Sequence, residues 1–246
     1  MSTSNNAINN TVGASISGVT NTLTVTNPSD TSSSAARHVI TVGGSSADDP
    51  SLNFNVNGVT DWEMGIDNSD SDNLVISQGT ALGTNNSWVM DTNGQRLLPL
   101  QPAFSAFLSA TDSNVTGDST VYIVGTNVAF TENFDIGSNF NTNGTFTAPI
   151  DGVYLFVYTL ETFGLTSSFS SWFQSMLIGG TSFQGTSINP SQIFHGGSQG
   201  ALTQTMSKIV RMSASDTAQV QVDVRGGSKT VSVAGNVTTF AGYLLG

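Results

Sequence analysis

Residues able to do chemistry are few in this sequence, and most of them are oxygen donors. The densest group is "DNSDSDN", in which Asp67, Asp70 and Asp72 stand with Asn68 and Asn73. Clustered carboxylate and amide oxygens suit a hard cation, calcium above all. The spacing lacks the central glycine and closing glutamate of a helix–loop–helix calcium site. The competing reading is a turn whose Asp and Asn side chains hydrogen-bond their own backbone. Asp216 in "SASDTAQVQV" lies in a comparable turn before a strand. No motif requires a cofactor, and calcium is the one ion these oxygens suggest.

Acid–base and nucleophilic chemistry find less. The two histidines, His38 and His195, sit in Ser/Gly-rich surroundings without a partner motif. His195 in "QIFHGGSQG" could join a serine and an acid, but serine is everywhere and no Gly-x-Ser-x-Gly elbow is expected. Asp61 and Glu63 share one face of a strand, whereas glycosidase chemistry needs two carboxylates flanking a cleft. With no cysteine, disulfides and thiolate chemistry are excluded. The chain is therefore expected not to be an enzyme, a polysaccharide-degrading tip being the remotest alternative.

Recognition has one candidate patch, "LTSSFSSWFQS". Trp172, flanked by Phe169 and Phe173 among serines, could stack on a sugar while hydroxyls bond its edges. The alternative is an ordinary strand with Trp172 in the core. Lys208, Arg211, Arg225 and Lys229 fall in the last forty residues and read as a solvated face. Asn-x-Ser/Thr triplets at Asn114, Asn143 and Asn236 carry little information in so Asn- and Thr-rich a chain.

The elements that must position these residues are short strands. Only 9% of the 246 residues are charged, and uncharged polar residues and 26 glycines dominate. That texture points to many strands joined by tight turns. Six Lys and Arg against 17 acids, a net charge of -11, argue against nucleic-acid binding, which needs phosphate-neutralising cations. No apolar run reaches transmembrane length, so membrane insertion is not expected. The opening "MSTSNNAINN" carries neither the basic nor the apolar region of a secretory signal.

Residues 1–20 read as a polar arm or linker. From residue 21 to 98 the segments "TLTVTN", "HVITVGG", "LNFNVNG", "DWEMGIDN", "NLVIS" and "SWVMDTNG" have strand length and are separated by turn signals. In "SLNFNVNG", Leu52, Phe54 and Val56 alternate with asparagines, one apolar face closed by an Asn57-Gly58 turn. So little apolar area per residue would gain from packing against copies of itself. Pro99 and Pro102 bracket a boundary. Residues 99–246 are more apolar and read as a sandwich of about eight to ten strands. Within it, "GVYLFVYTL" is apolar on both faces, Tyr154, Phe156 and Tyr158 lining one of them. The opposite sheet can cover one face, and the other needs a neighbouring subunit.

The motifs "QPAFSAFLS", "NTNGTFTAPIDGVYLFVY" and "TTFAGYLLG" then carry a resemblance. Phe146, followed after five residues by Gly152, then Tyr154, Phe156 and Tyr158, with Phe240 and Tyr243 near the end, resembles the globular head of the complement component-1 q subcomponent. That family is a trimeric jelly roll related to tumour necrosis factor. The family's aromatic seven positions before Phe146 is replaced by Asn139, with Phe140 one step closer. In the N-terminal half, "NTLTVTNPSDTSSSAA", "WEMGIDNSDSDNLVIS" and "ALGTNNSWVMDTNGQ" resemble modules that precede receptor-binding tips in phage tail-fibre and virion-surface proteins.

These resemblances imply an all-β homotrimer, with a β-rich shaft or collar followed by a jelly-roll head. The family residues above would supply trimer or core packing. The expected function is a virion-surface fibre or spike, assembled in the host cytoplasm, or else extracellular. The N-terminal arm would contact other virion proteins, and the head would bind a host-cell receptor or glycan. The alternative is a capsid or tail decoration protein without a receptor.

Overall fold

The computed structural model describes residues 24–195 and 199–246. The expected arm over residues 1–20 lies outside them. Residues 24–50 form no strand, so "HVITVGG" is irregular where a strand was expected. Alternation alone does not make a strand when no neighbouring backbone takes up its hydrogen bonds.

Five strands follow: β1 (Ser51–Val56), β2 (Thr60–Asp67), β3 (Asn73–Gln78), β4 (Asn86–Met90) and β5 (Arg96–Leu97). They form one antiparallel meander in chain order. The β1–β2 hairpin turns where the Asn-Gly signal places it, with Gly58 at φ +74°. Register stacks Leu52 against Met64 and Phe54 against Trp62, and then Met64 against Ile76 and Ile76 against Trp88. Strands β1 to β4 thus each contribute apolar alternates to one face, while Val75, Val89 and Leu97 lie on the other.

The remaining strands are β6 (Ala103–Leu108), β7 (Asp112–Thr116), β8 (Val121–Ile123), β9 (Phe130–Ile136), β10 (Phe140–Asn141), β11 (Thr145–Thr147), β12 (Gly152–Leu165), β13 (Ser171–Ile178), β14 (Thr181–Ile188), β15 (Gly200–Met212), β16 (Thr217–Arg225), β17 (Val231–Val233) and β18 (Thr239–Leu244). They exceed the expected eight to ten because several are pieces of two or three residues. One sheet runs β7-β17-β12-β18-β6-β9, with β15 on the free edge of β12. The other runs β10-β11-β16-β13-β14, with β8 also on β16. Together they make an all-β, jelly-roll-like sandwich. Among the described residues there is no α-helix, only a 3-10 turn at Pro190–Gln192 capped by Asn189.

The two sheets meet over a packed aromatic centre. The Phe104 ring stacks on Phe140 at 4.4 Å and on Phe146 at 5.2 Å, and meets Phe240 edge-on at 5.0 Å. Edge and offset contacts of this kind suit the ring quadrupoles. Gly242 is required here, since a Cβ would lie 2.5 Å from the Phe104 ring and 2.7 Å from the Phe156 ring. Phe140, one step out of the family's place, still reaches the core as the cross-strand partner of Phe146.

The doubly apolar β12 is half sealed by its own chain. Tyr154, Phe156 and Tyr158 point into the sandwich and are fully buried. No partner subunit is needed for them, so their burial says nothing for a trimer. Phe146, Gly152 and Phe240 are interior as well, whereas Tyr243 lies on the outer face and is exposed. Val153, Leu155 and Val157 face outward, only partly covered.

Candidate binding surfaces

The acidic hairpin turn does not form the expected calcium cage. Among the described residues no group of three His, Cys, Asp or Glu side chains converges enough to hold a metal. Asp67 is buried, and its Oδ1 accepts from the Ser69 and Asp70 amides at 3.1 and 3.0 Å and from the Ser69 hydroxyl at 2.8 Å. Asp70 and Asp72 are exposed, and Ser71 and Asp72 take φ of +61° and +58°. The competing reading describes this geometry: a side-chain-capped turn. Asp216 likewise caps its turn, accepting from the Ser213 amide at 2.8 Å.

The aromatic trio is split, which corrects the expectation of a stacking platform. Trp172 and Phe169 are 1% and 3% exposed. The Trp172 indole N–H donates to Thr162 Oγ1 at 2.8 Å inside the sandwich. Strand alternation forces the separation, because Trp172 and Phe173 are adjacent on β13 and must face opposite sides. Phe173 alone reaches the outer surface.

The other candidates are dispersed. His195 is exposed, its Nδ1 3.2 Å from the Ile193 carbonyl. "GGSQG" beside it does have the Gly-x-Ser-x-Gly spacing, which corrects the expectation that the chain contains none. Residues 196–198 lie outside the described residues, and the phrase leads into a strand, not a helix. Asp61 and Glu63 bond Asn55 and Ser51 across the polar face of β1 and β2. Of the basic set, Lys208 and Arg211 sit on β15, and Arg225 ends β16 in the opposite sheet.

Three surfaces remain. The first is the apolar face of the N-terminal meander. Ten apolar side chains from β1 to β4 lie on it, including Leu52, Phe54, Trp62, Met64, Ile76 and Trp88. None is buried, and Phe54 is 58% exposed. The opposite face holds the small cluster of Val75, Leu82 and Val89 with the polar ladder of Asn, Asp and Glu. Burying a large apolar side chain contributes about 1.5–3 kcal/mol, so an open face of this extent is a large unrealised stabilisation.

The second is the outer face of the β15-β12-β18-β6-β9 sheet. Leu155 lies beside Tyr243 on one side and Ile209 on the other, and Ala241 and Phe134 extend the patch. Ile209 is 61% exposed. A hydroxyl pair, Thr159 with Thr205 at 2.8 Å, and the exposed Arg211 flank it.

The third is a groove of about 380 Å³, of mixed polar and apolar lining, on the outer face of the other sheet. Strands β8, β16, β13 and β14 build it, from Val121 on one side to Gln184 on the other. Arg225 lies over the Phe173 ring, 5.0 Å from its centre. The Arg225 Nε donates to Asp223 Oδ2 at 2.7 Å, and Nη2 bonds the same oxygen at 2.5 Å. That carboxylate raises the guanidinium's affinity for its proton. Asp223 is buried, and its Oδ1 has no partner among the described residues.

With the geometry established, the chain can be set beside known proteins. No family model matches it, and no curated protein does. Solved structures that it resembles include the globular domain of a zebrafish complement 1qA protein, at 16% identity and a TM-score of 0.39 over 59% of this chain and 98% of that one. Murine APRIL at pH 8.0 matches at 12% identity and a TM-score of 0.41 over 59% and 99%. PRD1 vertex protein P5 matches at 10% identity and 0.41 over 60% and 99%.

Proposed function

We propose that the protein is a virion-surface fibre or spike that assembles as a homotrimer and attaches the particle to a host surface through its C-terminal sandwich. The observation that carries the reading is the apolar face of the β1–β5 meander, which its own described chain leaves open. Three copies around one axis would turn the three faces inward as a prism. Each copy's β1 edge would then lie near a neighbour's β5 edge, limiting the unpaired backbone that a two-sheet stack leaves exposed. The outer patch around Leu155, Tyr243 and Ile209 offers the sandwich a second seam. Placement on a virion rests on the phrase-level resemblance of the N-terminal half. Attachment by three weak sites on one rigid tip gains avidity that a lone site lacks.

Light scattering on the full chain at micromolar concentration tests the assembly. The expected mass is three times the 25.6 kDa chain. A stable single-chain mass would overturn the reading, and a two-chain mass would replace the prism with a face-to-face sandwich. For the attachment step, labelled chain should adsorb to some members of a panel of bacterial strains.

A further inference from the structure

The groove on the β8-β16-β13-β14 face has no part in either apolar seam, and its chemistry is specific. Its polar lining is amide and hydroxyl: Gln184 and Gln221 with Ser175 and Ser182. Its one acid and one base, Asp223 and Arg225, neutralise each other. The wall beside them is the Arg225–Phe173 stack, an apolar surface with a planar donor on it. Asp223 is more than nine-tenths buried, and one of its carboxylate oxygens lacks a partner. An unsatisfied buried acceptor is costly, and a ligand hydroxyl or amide proton would satisfy it once the carboxylate turns that oxygen out from beneath Arg225 toward the groove.

From this geometry we infer that the groove is a subsite for an uncharged, polyhydroxylated ring: a neutral sugar of a surface glycan. A sugar ring offers vicinal hydroxyls that donate to a carboxylate and accept from amide and guanidinium groups, with C–H faces for an aromatic wall. An anionic ligand is disfavoured twice over. The groove's cation is already paired, and the chain as a whole carries a net charge of -11. A basic ligand would have to displace Arg225 from Asp223. The inference rests on the attachment reading and narrows it to one face of the sandwich and one ligand class.

The test probes an array of neutral oligosaccharides and their sialylated or sulfated counterparts with the full-length assembled protein. Wild-type protein should be retained on neutral glycans. Asp223→Asn and a Gln184→Ala/Gln221→Ala double variant should each bind at least about tenfold more weakly, the loss of one or two hydrogen bonds to a ligand. Thermal midpoint and particle mass should be unchanged in the double variant, whose side chains are at the surface. It therefore keeps the test valid even if Asp223→Asn fails to fold. Undiminished retention in the double variant, or retention confined to charged glycans, would overturn the subsite. Protein that adsorbs to bacterial cells yet retains no glycan sinks this inference and leaves the attachment function standing. Protein that does neither sinks both.

Discussion

Tyr158 combines two opposing contributions in one residue. Its ring fills the sandwich interior, and its hydroxyl is buried there without a partner among the described residues. Burial pushes the phenol above its ordinary proton affinity. Tyr158→Phe keeps the ring and removes the orphan oxygen, so it should leave stability unchanged or raise it by up to about 1 kcal/mol. Urea unfolding measures this, and a clear loss would show that the hydroxyl is bonded. Gly242→Val is the opposite case, because its side chain would occupy space held by the Phe104 and Phe156 rings. It should cost about 1–3 kcal/mol or more in the same assay. The glycine in "TTFAGYLLG" was legible as a motif position, but its reason was not, since Phe104 approaches from a strand more than a hundred residues earlier. The acidic turn and the aromatic trio were misleading for a related cause. Residue type announces a chemistry, while the direction of each side chain is set by backbone that a short window does not contain.

At the scale of elements, strand β12 shows what periodicity conveys and what it omits. Alternation correctly placed Tyr154, Phe156 and Tyr158 on one face, yet gave no means of telling whether that face met a sister sheet or a sister subunit. The meander is clearer. Leu52, Phe54 and Val56 alternate with asparagines in sequence, and cross-strand register carries the apolar set across to Trp88. "HVITVGG" has a similar pattern and forms no strand, because pairing depends on a partner as well as on propensity. Phe54→Asp places a charge on the edge strand of the open apolar face. It should drop the scattering mass to the 25.6 kDa chain and leave the aromatic circular dichroism of the sandwich intact. Asn53→Ser, on the other face of the same strand, should leave the mass unaltered. If Phe54→Asp also assembles normally, the face is covered by something other than copies of this chain.

For the whole molecule, charge opposes assembly. Each chain carries -11, so bringing copies together concentrates like charge around a shared axis. Raising salt from about 0.01 M to about 1 M shortens the screening length from about 30 Å to about 3 Å. Self-association measured by sedimentation should therefore strengthen with salt, as apolar seams in an acidic protein require. Weakening with salt would mean that ion pairs hold the copies together. Charge balance and an all-β class were plain from composition, since both are sums over the chain. The seams were not, because they depend on which alternates each sheet leaves outside. The strandless stretch over residues 24–50 has a further consequence for how the molecule meets proteases. Four of the six Lys and Arg residues lie within paired strands, leaving Arg37 and Lys229 outside them. Trypsin needs a locally opened backbone. Lys229 is held in the short loop 226–230 between two paired strands, whereas Arg37 lies in the long strandless stretch, so a first cut after Arg37 would shed the polar N-terminal portion and release all three sheets as one resistant fragment.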